Sequence, residues 1–229
     1  GVSGYGGLGG LVDATNAFPH RFSVITALAL DHTNILGKTL QEVAKNKFGI
    51  ISRKNIVVHH ALREELDSLK EETRKATNCN WLLAEKAELE VVSKAGIPRY
   101  FLRYHDLKFE INMAGPRAAE NIMTAVTMFQ VLGFDLDSHV AALNNVRWPG
   151  RMQKVSWPGF KAPLYLSGDH NVQGVERLLQ ILKDFSYRNL YLIAGIGADK
   201  EAGPMLEKLC GLDQVKLYLT ETPFKELPL

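Results

Sequence analysis

Apolar positions along the chain keep two rhythms, and their order predicts an α/β protein. Phe22 to Leu30 is an apolar run rich in Val, Ile and Leu and free of Gly and Pro, the pattern of a strand buried on both faces. A polar break, Asp31-His32-Thr33-Asn34, follows it. The rhythm then changes to helical spacing at Leu40, Val43, Ala44, Lys47 and Phe48, with Thr39 and Glu42 forming a capping box and Gly49 acting as the stop. Strand, polar turn and helix in that order is the layout in which open α/β sheets hold ligands, at the carboxyl ends of the strands.

Further along, Ile56 to His60 reads as a short strand and Ala61 to Ala76 as an exposed helix, with Arg63, Glu64, Glu65, Lys70, Glu71 and Glu72 on its solvated face. Alternating aromatic and apolar residues from Tyr100 to Met113 predict a hairpin or meander. Pro116 to Leu132 reads as a strong helix whose stripe is Asn121, Ile122, Ala125, Phe129 and Leu132, stopped by Gly133. Trp148-Pro149-Gly150 breaks the pattern and sets a domain boundary, giving residues 1–148 and 149–229. Beyond it, strands at Pro163–Ser167, Asn189–Gly195 and Val215–Thr220 alternate with helices at Val172–Phe185 and Gly203–Cys210. That βαβαβ order predicts a parallel, Rossmann-like sheet.

Composition changes this picture little. With 229 residues, 46% hydrophobic and 23% charged, the chain is an ordinary globular protein, and a net charge of +2 gives it no pull toward nucleic acid. No apolar run approaches membrane-spanning length and no signal-peptide pattern is present, so a cytoplasmic protein is expected. Cys79 and Cys210 lack metal-type spacing and read as reduced, buried thiols.

Two phosphate-binding patterns fail on inspection. Gly4-Tyr5-Gly6-Gly7-Leu8-Gly9 fits G-x-G-x-x-G, but no strand precedes it and no helix follows closely. Gly37-Lys38-Thr39 reads like the end of a P-loop, yet His32 stands where that loop needs its first glycine. His59-His60 invites a metal assignment, but neighbours on a strand point to opposite faces.

The residues that decide the reading are Gly7-Leu8-Gly9-Gly10-Leu11-Val12-Asp13-Ala14-Thr15-Asn16, followed by Asp31-His32-Thr33-Asn34-Ile35-Leu36-Gly37-Lys38-Thr39-Leu40 and by Asn46-Lys47-Phe48-Gly49-Ile50. In this order and spacing they resemble the central domain of folylpolyglutamate synthase/dihydrofolate synthase, in the Mur ligase superfamily. Trp148-Pro149-Gly150-Arg151 and Ser167-Gly168-Asp169-His170-Asn171 resemble that family's P-G-R and D-G-A-H-N motifs, so the likeness runs over nearly the whole chain. It implies part of a Mur-ligase central ATPase domain followed by a Rossmann-like C-terminal domain.

The implied chemistry is ATP-dependent addition of L-glutamate to a folate or pteroate, with Mg²⁺, through an acyl phosphate. The expected enzyme is a monomer without nucleic-acid or membrane partners. By resemblance His32 and Lys47 are the metal residues, Lys47 being the lysine that the family carbamylates; Asn121 lies near the adenine; and Arg151, Asp169, His170 and Asn171 surround the nucleotide. His32, Lys47, Asp169 and His170 carry the catalytic roles. Asp199-Lys200 resembles a further segment near the nucleotide or glutamate. On the residues alone His32 is a turn histidine, Lys47 a helix-end cation and Arg151 a linker arginine.

Departures stand at Tyr5, Asn46, Ala118 and Ser167, where the family pattern has Glu, Glu, Gln and Asp; Asp169 is the substitute for the last. With no P-loop in view and few C-terminal strands, the chain is expected to be cut short at both ends and inactive by itself. A Mur-type peptide ligase and a non-catalytic binding module are the alternatives.

Overall fold

The computed structural model describes residues 10, 11, 16, 18, 20–30, 36–197, 200 and 202–220. Packing divides the chain into two compact units, Gly1–Ala87 with Glu120–Ser138, and Glu88–Ala119 with His139–Leu229. This division follows contacts and so is not linear in sequence, unlike the turn-based boundary at Trp148-Pro149-Gly150.

The first unit opens with β1 (Phe22–Ile25), α1 (Leu40–Phe48), β2 (Ile56–His59), α2 (Asp67–Thr77) and β3 (Asn80–Leu83). The three strands are parallel in the order β1-β2-β3. The expected strand to Leu30 is therefore cut to its first four residues. Its partner β2 ends at His59, opposite Ile25, and no ladder exists beyond that point to hold the rest extended. Nor is β1 covered on both faces, since Val24 is exposed while Ser23 and Ile25 are buried.

α1 starts as its sequence requires. Thr39 accepts from the Glu42 amide and Glu42 reaches back to the Thr39 amide, completing the capping box. The hydrogen bonds from the Thr39 and Lys38 amides also hold the Glu42 carboxyl below its ordinary pKa. Leu40, Ala44 and Phe48 of α1 close on Ile25, Val57, Leu66 and Cys79, with Trp81 against their edge. The helix expected from Ala61 begins later, as a 3-10 turn at Glu64–Leu66 that leads into α2. Leu66, the fully buried anchor of that turn, fixes where the helix can start. Asn78 closes α2 in the left-handed region, at φ 51°.

In the second unit β4 (Glu88–Lys94), β5 (Ile97–Tyr104) and β6 (Leu107–Ile111) form an antiparallel meander, of which the sequence pattern gave only the last two strands. β5 alternates strictly: Pro98, Tyr100, Leu102 and Tyr104 are buried, whereas Arg99, Phe101 and Arg103 face outward. The Tyr100 hydroxyl donates to Asp184 at 2.9 Å, and burial with that bond raises its pKa.

α3 (Pro116–Val131) matches the expected helix, and Gly133 follows it at φ +84°. Its buried stripe is Ala119, Ile122, Met123 and Val126; Ala125 and Leu132, expected inside, are exposed. The short α4 (Val140–Asn144), β7 (Gln153–Val155) and β8 (Leu164–Leu166) follow. Then come α5 (Val172–Leu182), β9 (Leu190–Gly195), α6 (Ala202–Cys210) and β10 (Val215–Thr220).

β9 and β10 are parallel as expected. β8 is not their third partner: it pairs antiparallel with β7, a strand too short and polar to show in the sequence. Val175 of α5 and Met205 and Leu209 of α6 cover one face of the β9/β10 pair through Leu192, Ala194 and Leu217. Cys79 is buried as expected, but Cys210 is exposed; both are free thiols. Among the described residues no helix is long and apolar enough to cross a membrane.

Leu66, 1% exposed, is the single side chain that joins the 3-10 turn to the first core. Leu66→Ala is expected to cost about 2–5 kcal/mol in chemical denaturation, whereas Val92→Ala on the exposed β4 should stay within about 0.5 kcal/mol. Equal losses would mean that α2 is not held through Leu66.

Candidate active site

The C-terminal end of α1 is built by main-chain groups before any functional side chain enters. A helix leaves its last carbonyls without partners, and here the loop that precedes β1 supplies the donors. The Gly10 amide donates to the Asn46 carbonyl at 2.9 Å, and the Asn16 side-chain amide donates to the carbonyls of Gly10 at 2.5 Å and Gly49 at 3.1 Å. The approach leaves no room for a side chain at Gly10, where a Cβ would sit 2.4 Å from Ile50 Cγ2 and 2.7 Å from the Lys47 carbonyl oxygen.

Gly49 serves the same closeness. It is the C-cap of α1, the stop expected from the sequence, with φ −57°; it lacks a side chain because a Cβ would lie 2.5 Å from Leu11 Cα. Asn46, read as a departure, turns inward. Its Nδ2 donates to the Leu36 carbonyl at 2.8 Å and to the Glu42 carbonyl at 3.2 Å, which a glutamate could not do. Lys47 lies between these anchors, half-buried in the last turn of α1.

A second junction forms in the other unit. Trp148-Pro149-Gly150-Arg151 is a tight turn with Gly150 at φ +70°, the value a type II turn demands of its third residue, and the Arg151 amide closes it on the Trp148 carbonyl at 3.3 Å. The Gly168 amide donates to the Gly150 carbonyl at 2.6 Å, and this bond brings the two C-terminal motifs side by side. Asn171 caps α5 by accepting from the Gly174 amide at 2.7 Å.

Asp169 leans over the same first turn: a Cβ on Gly174 would lie 3.0 Å from its Oδ1. Ser167 Oγ donates to Asp169 Oδ2 at 2.5 Å, so the carboxylate reaches back to the position where the resembled motif has its aspartate. His170 is exposed, with Nδ1 2.9 Å from the Gly168 carbonyl. Arg151 is exposed, and its guanidinium has no carboxylate partner among the described residues.

Asn121 is exposed on α3, next to Glu120, whose carboxylate stands 3.7 Å from Nδ1 of His60. His59 and His60 are both buried, His59 with Nδ1 2.5 Å from the His60 carbonyl and Nε2 3.4 Å from Lys70 Nζ. Neither belongs to a metal cluster, since among the described residues no three His, Cys, Asp or Glu side chains converge. His32, Tyr5 and Asp199 lie outside the described residues. What the sequence left unassigned is the work of two asparagines: Asn16 was part of a motif without a role, and Asn46 was a mismatch.

The chemistry of these groups can be matched to ligands. Arg151 offers a forked, permanently charged donor set suited to phosphate oxygens. Asp169 already places a negative charge at the α5 N-terminus, so that end repels phosphate and suits a hydroxyl, an ammonium or a hydrated cation. Lys47, as an amine, is no ligand for Mg²⁺, which takes oxygen donors.

Comparison with known proteins fits this arrangement. No family model matches the chain. It is 29% identical over 232 residues to the folylpolyglutamate synthase of Lacticaseibacillus casei, an alignment covering 95% of this chain and 52% of that protein. Over 217 residues it is 28% identical to the dihydrofolate synthase/folylpolyglutamate synthase of Bacillus subtilis, covering 89% of this chain and 49% of that one. A solved folylpolyglutamate synthase in complex with AMPPCP and folate matches at a TM-score of 0.80 and 27% identity, covering 95% of this chain and 55% of the other. The chain is similar to the folylpolyglutamate synthases over part of their length. Its α/β fold is that of the matching part of those enzymes, and the chain spans about half the length of the two curated relatives.

His59 supplies a pH test of this region. Burial, with Lys70 and His60 nearby, holds its imidazole below the ordinary range against the opposing bond to the His60 carbonyl. The folded state thus binds fewer protons at His59 than the unfolded chain, so this contribution is complete above about pH 6.5 and is lost as pH falls below it. His59→Gln is expected to flatten the fall in Tm between about pH 7 and pH 5 relative to the wild type. Parallel Tm profiles for the two proteins would remove His59 as the cause.

Proposed function

We propose that these residues form part of an ATP-dependent ligase that joins L-glutamate to a folate, either dihydropteroate or a tetrahydrofolate, in the cytoplasm. The observation that supports this best is the pair of junctions. The loop carrying Gly10 and Asn16 is bonded to the helix end carrying Lys47, and the turn carrying Arg151 is bonded to the segment carrying Asp169 and His170. Their likeness to a synthase solved with AMPPCP and folate supplies the substrate class. Residues 1–148 would then hold ATP and metal, and residues 149–229 would begin the C-terminal domain.

In this reading a folate carboxylate oxygen attacks the γ-phosphorus of ATP and ADP leaves. The glutamate amine then attacks the acyl carbon, and inorganic phosphate leaves as the amine loses a proton. Such a reaction depends on positioning and on neutralising phosphate charge more than on protein acids or bases. Arg151 forks onto the phosphate oxygens, and its lack of a carboxylate partner among the described residues leaves it available. Asp169, held by Ser167, accepts from a hydroxyl of the nucleotide or from the ammonium of glutamate. His170 and Asn171 follow Asp169 in the same segment and contact the nucleotide, and Asn121 offers its amide to the adenine.

Mg²⁺ supplies charge neutralisation at the phosphates when bound. Lys47 would hold it only as a carbamate, formed with CO₂, whose oxygens are hard donors, and His32 would be the second residue. Lys47→Ala, assayed in the complete polypeptide that carries this chain, is expected to lower glutamate-dependent ADP release about a hundredfold or more, and Arg151→Ala about ten- to a hundredfold. Tm should shift by no more than about 2 °C in either, because neither charge closes a described ion pair. Lys45→Ala, on the exposed side of α1, is the control. Full activity in Lys47→Ala, or equal losses in all three, would overturn the reading.

A further inference from the structure

We propose that Asn16 is a positioning residue for Lys47, acting as a clip that fixes the last turn of α1. The proposal rests on the reading of Lys47 given above. It is carried by how the amide uses both of its protons, one on the Gly10 carbonyl at 2.5 Å and one on the Gly49 carbonyl at 3.1 Å. Gly10 in turn donates its own N–H to the Asn46 carbonyl at 2.9 Å, so one side chain closes a ring of hydrogen bonds around the turn that holds Lys47. The Asn46 and Lys47 carbonyls also accept from the Gly49 and Ile50 amides, at 3.3 Å and 3.4 Å, so the turn is closed from within the helix as well as by the clip.

From the other side Asn46 Nδ2 ties the turn to Leu36, which is 3% exposed and so is itself fixed. The lysine is thus held between two amide donors. A lysine whose nitrogen must stand in one place to become a ligand needs such support, because supporting residues set the geometry of functional groups to fractions of an ångström. Both partners of Asn16 are carbonyl oxygens, which makes the requirement chemically sharp: only a donor serves. Aspartate has the shape of asparagine and no N–H, so it would set oxygen against oxygen.

The test uses the full 229-residue chain as wild type, Asn16→Asp and Asn16→Ser, the last retaining a single donor. Amide hydrogen exchange at Gly10, Gly49, Ile50 and Ile51 reads the clip directly. The rate at which cyanate modifies Lys47, divided by that of exposed Lys45 on the same helix, reads the position of the lysine without any assay of turnover. Asn16→Asp is expected to speed exchange at Gly10, Gly49 and Ile50 about tenfold and to raise the Lys47/Lys45 ratio, with Asn16→Ser between it and wild type.

In ¹³CO₂ the wild type should show a carbamate signal that Lys47→Ala removes and Asn16→Asp weakens. If Asn16→Asp fails to fold, the same readings on Asn16→Ser decide. Unchanged exchange and an unchanged reactivity ratio in the folded variants would overturn the clip. A wild type without carbamate would overturn the role given to Lys47, while exchange and the ratio would still decide whether Asn16 positions it.

Discussion

The placement of Lys47 in the first unit depends on one close approach, that of the Gly10–Leu11 backbone to the end of α1. A helix end is an unfinished hydrogen-bonding surface, and this chain completes it with a loop rather than with water. The approach is possible only because Gly10 and Gly49 both lack side chains, and neither needs a left-handed backbone at Gly49 to do it. Sterics therefore explain the glycines, the unpaired carbonyls explain Asn16, and Lys47 is placed as a consequence of both. The capping box at the other end of α1 fixes the first turn with equal economy, so the helix is held by side-chain acceptors at its N-terminus and by the Gly10 and Asn16 donors at its C-terminus.

The second unit repeats the device with different parts. There a turn rather than a helix end presents the carbonyl, and Gly168 rather than Gly10 donates to it. In each case main-chain bonds between distant segments establish the geometry first, and the side chains named for chemistry are then carried on the result. Charge follows the same order. Asp169 sits at the positive end of α5 and is held by Ser167, while Arg151 stays exposed on the turn beside it.

How much of this could be read from the sequence differs by element, for physical reasons. β2, α1, α3, β9 and β10 were legible because packing on one side imposes a period that local composition does not contradict. β4 was not: an edge strand with Val91 and Val92 both exposed carries no alternation to detect. β7 was missed as a short polar strand, and the partner of β8 was misjudged because Leu164-Tyr165-Leu166 reads the same whether its partner is parallel or antiparallel. The length of β1 was overestimated for a similar reason, since a strand ends where its neighbour ends and not where its apolar run does. At the candidate site the motif residues were visible one by one, but most of their hydrogen-bond partners were not, because those of Asn16, Asn46, His170 and Asn171 are backbone groups, which have no letter in the sequence.

That last point bears on how departures from a family pattern are weighed. Asn46 stands where the resembled pattern has glutamate, and as a substitution it looks like the loss of a carboxylate beside a functional lysine. In the folded chain its amide donates to Leu36 and Glu42 carbonyls, a pair of bonds that a carboxylate cannot make. The exchange of Glu for Asn thus removes a charge from the last turn of α1 and adds an anchor to it. Ser167 and Asp169 make the complementary trade, keeping the carboxylate and moving its point of attachment by two residues, with a hydroxyl to steer it. At Asn46 the donors and acceptors change with the residue, whereas at Asp169 a carboxylate is kept, so the functional comparison belongs at the level of the hydrogen bonds.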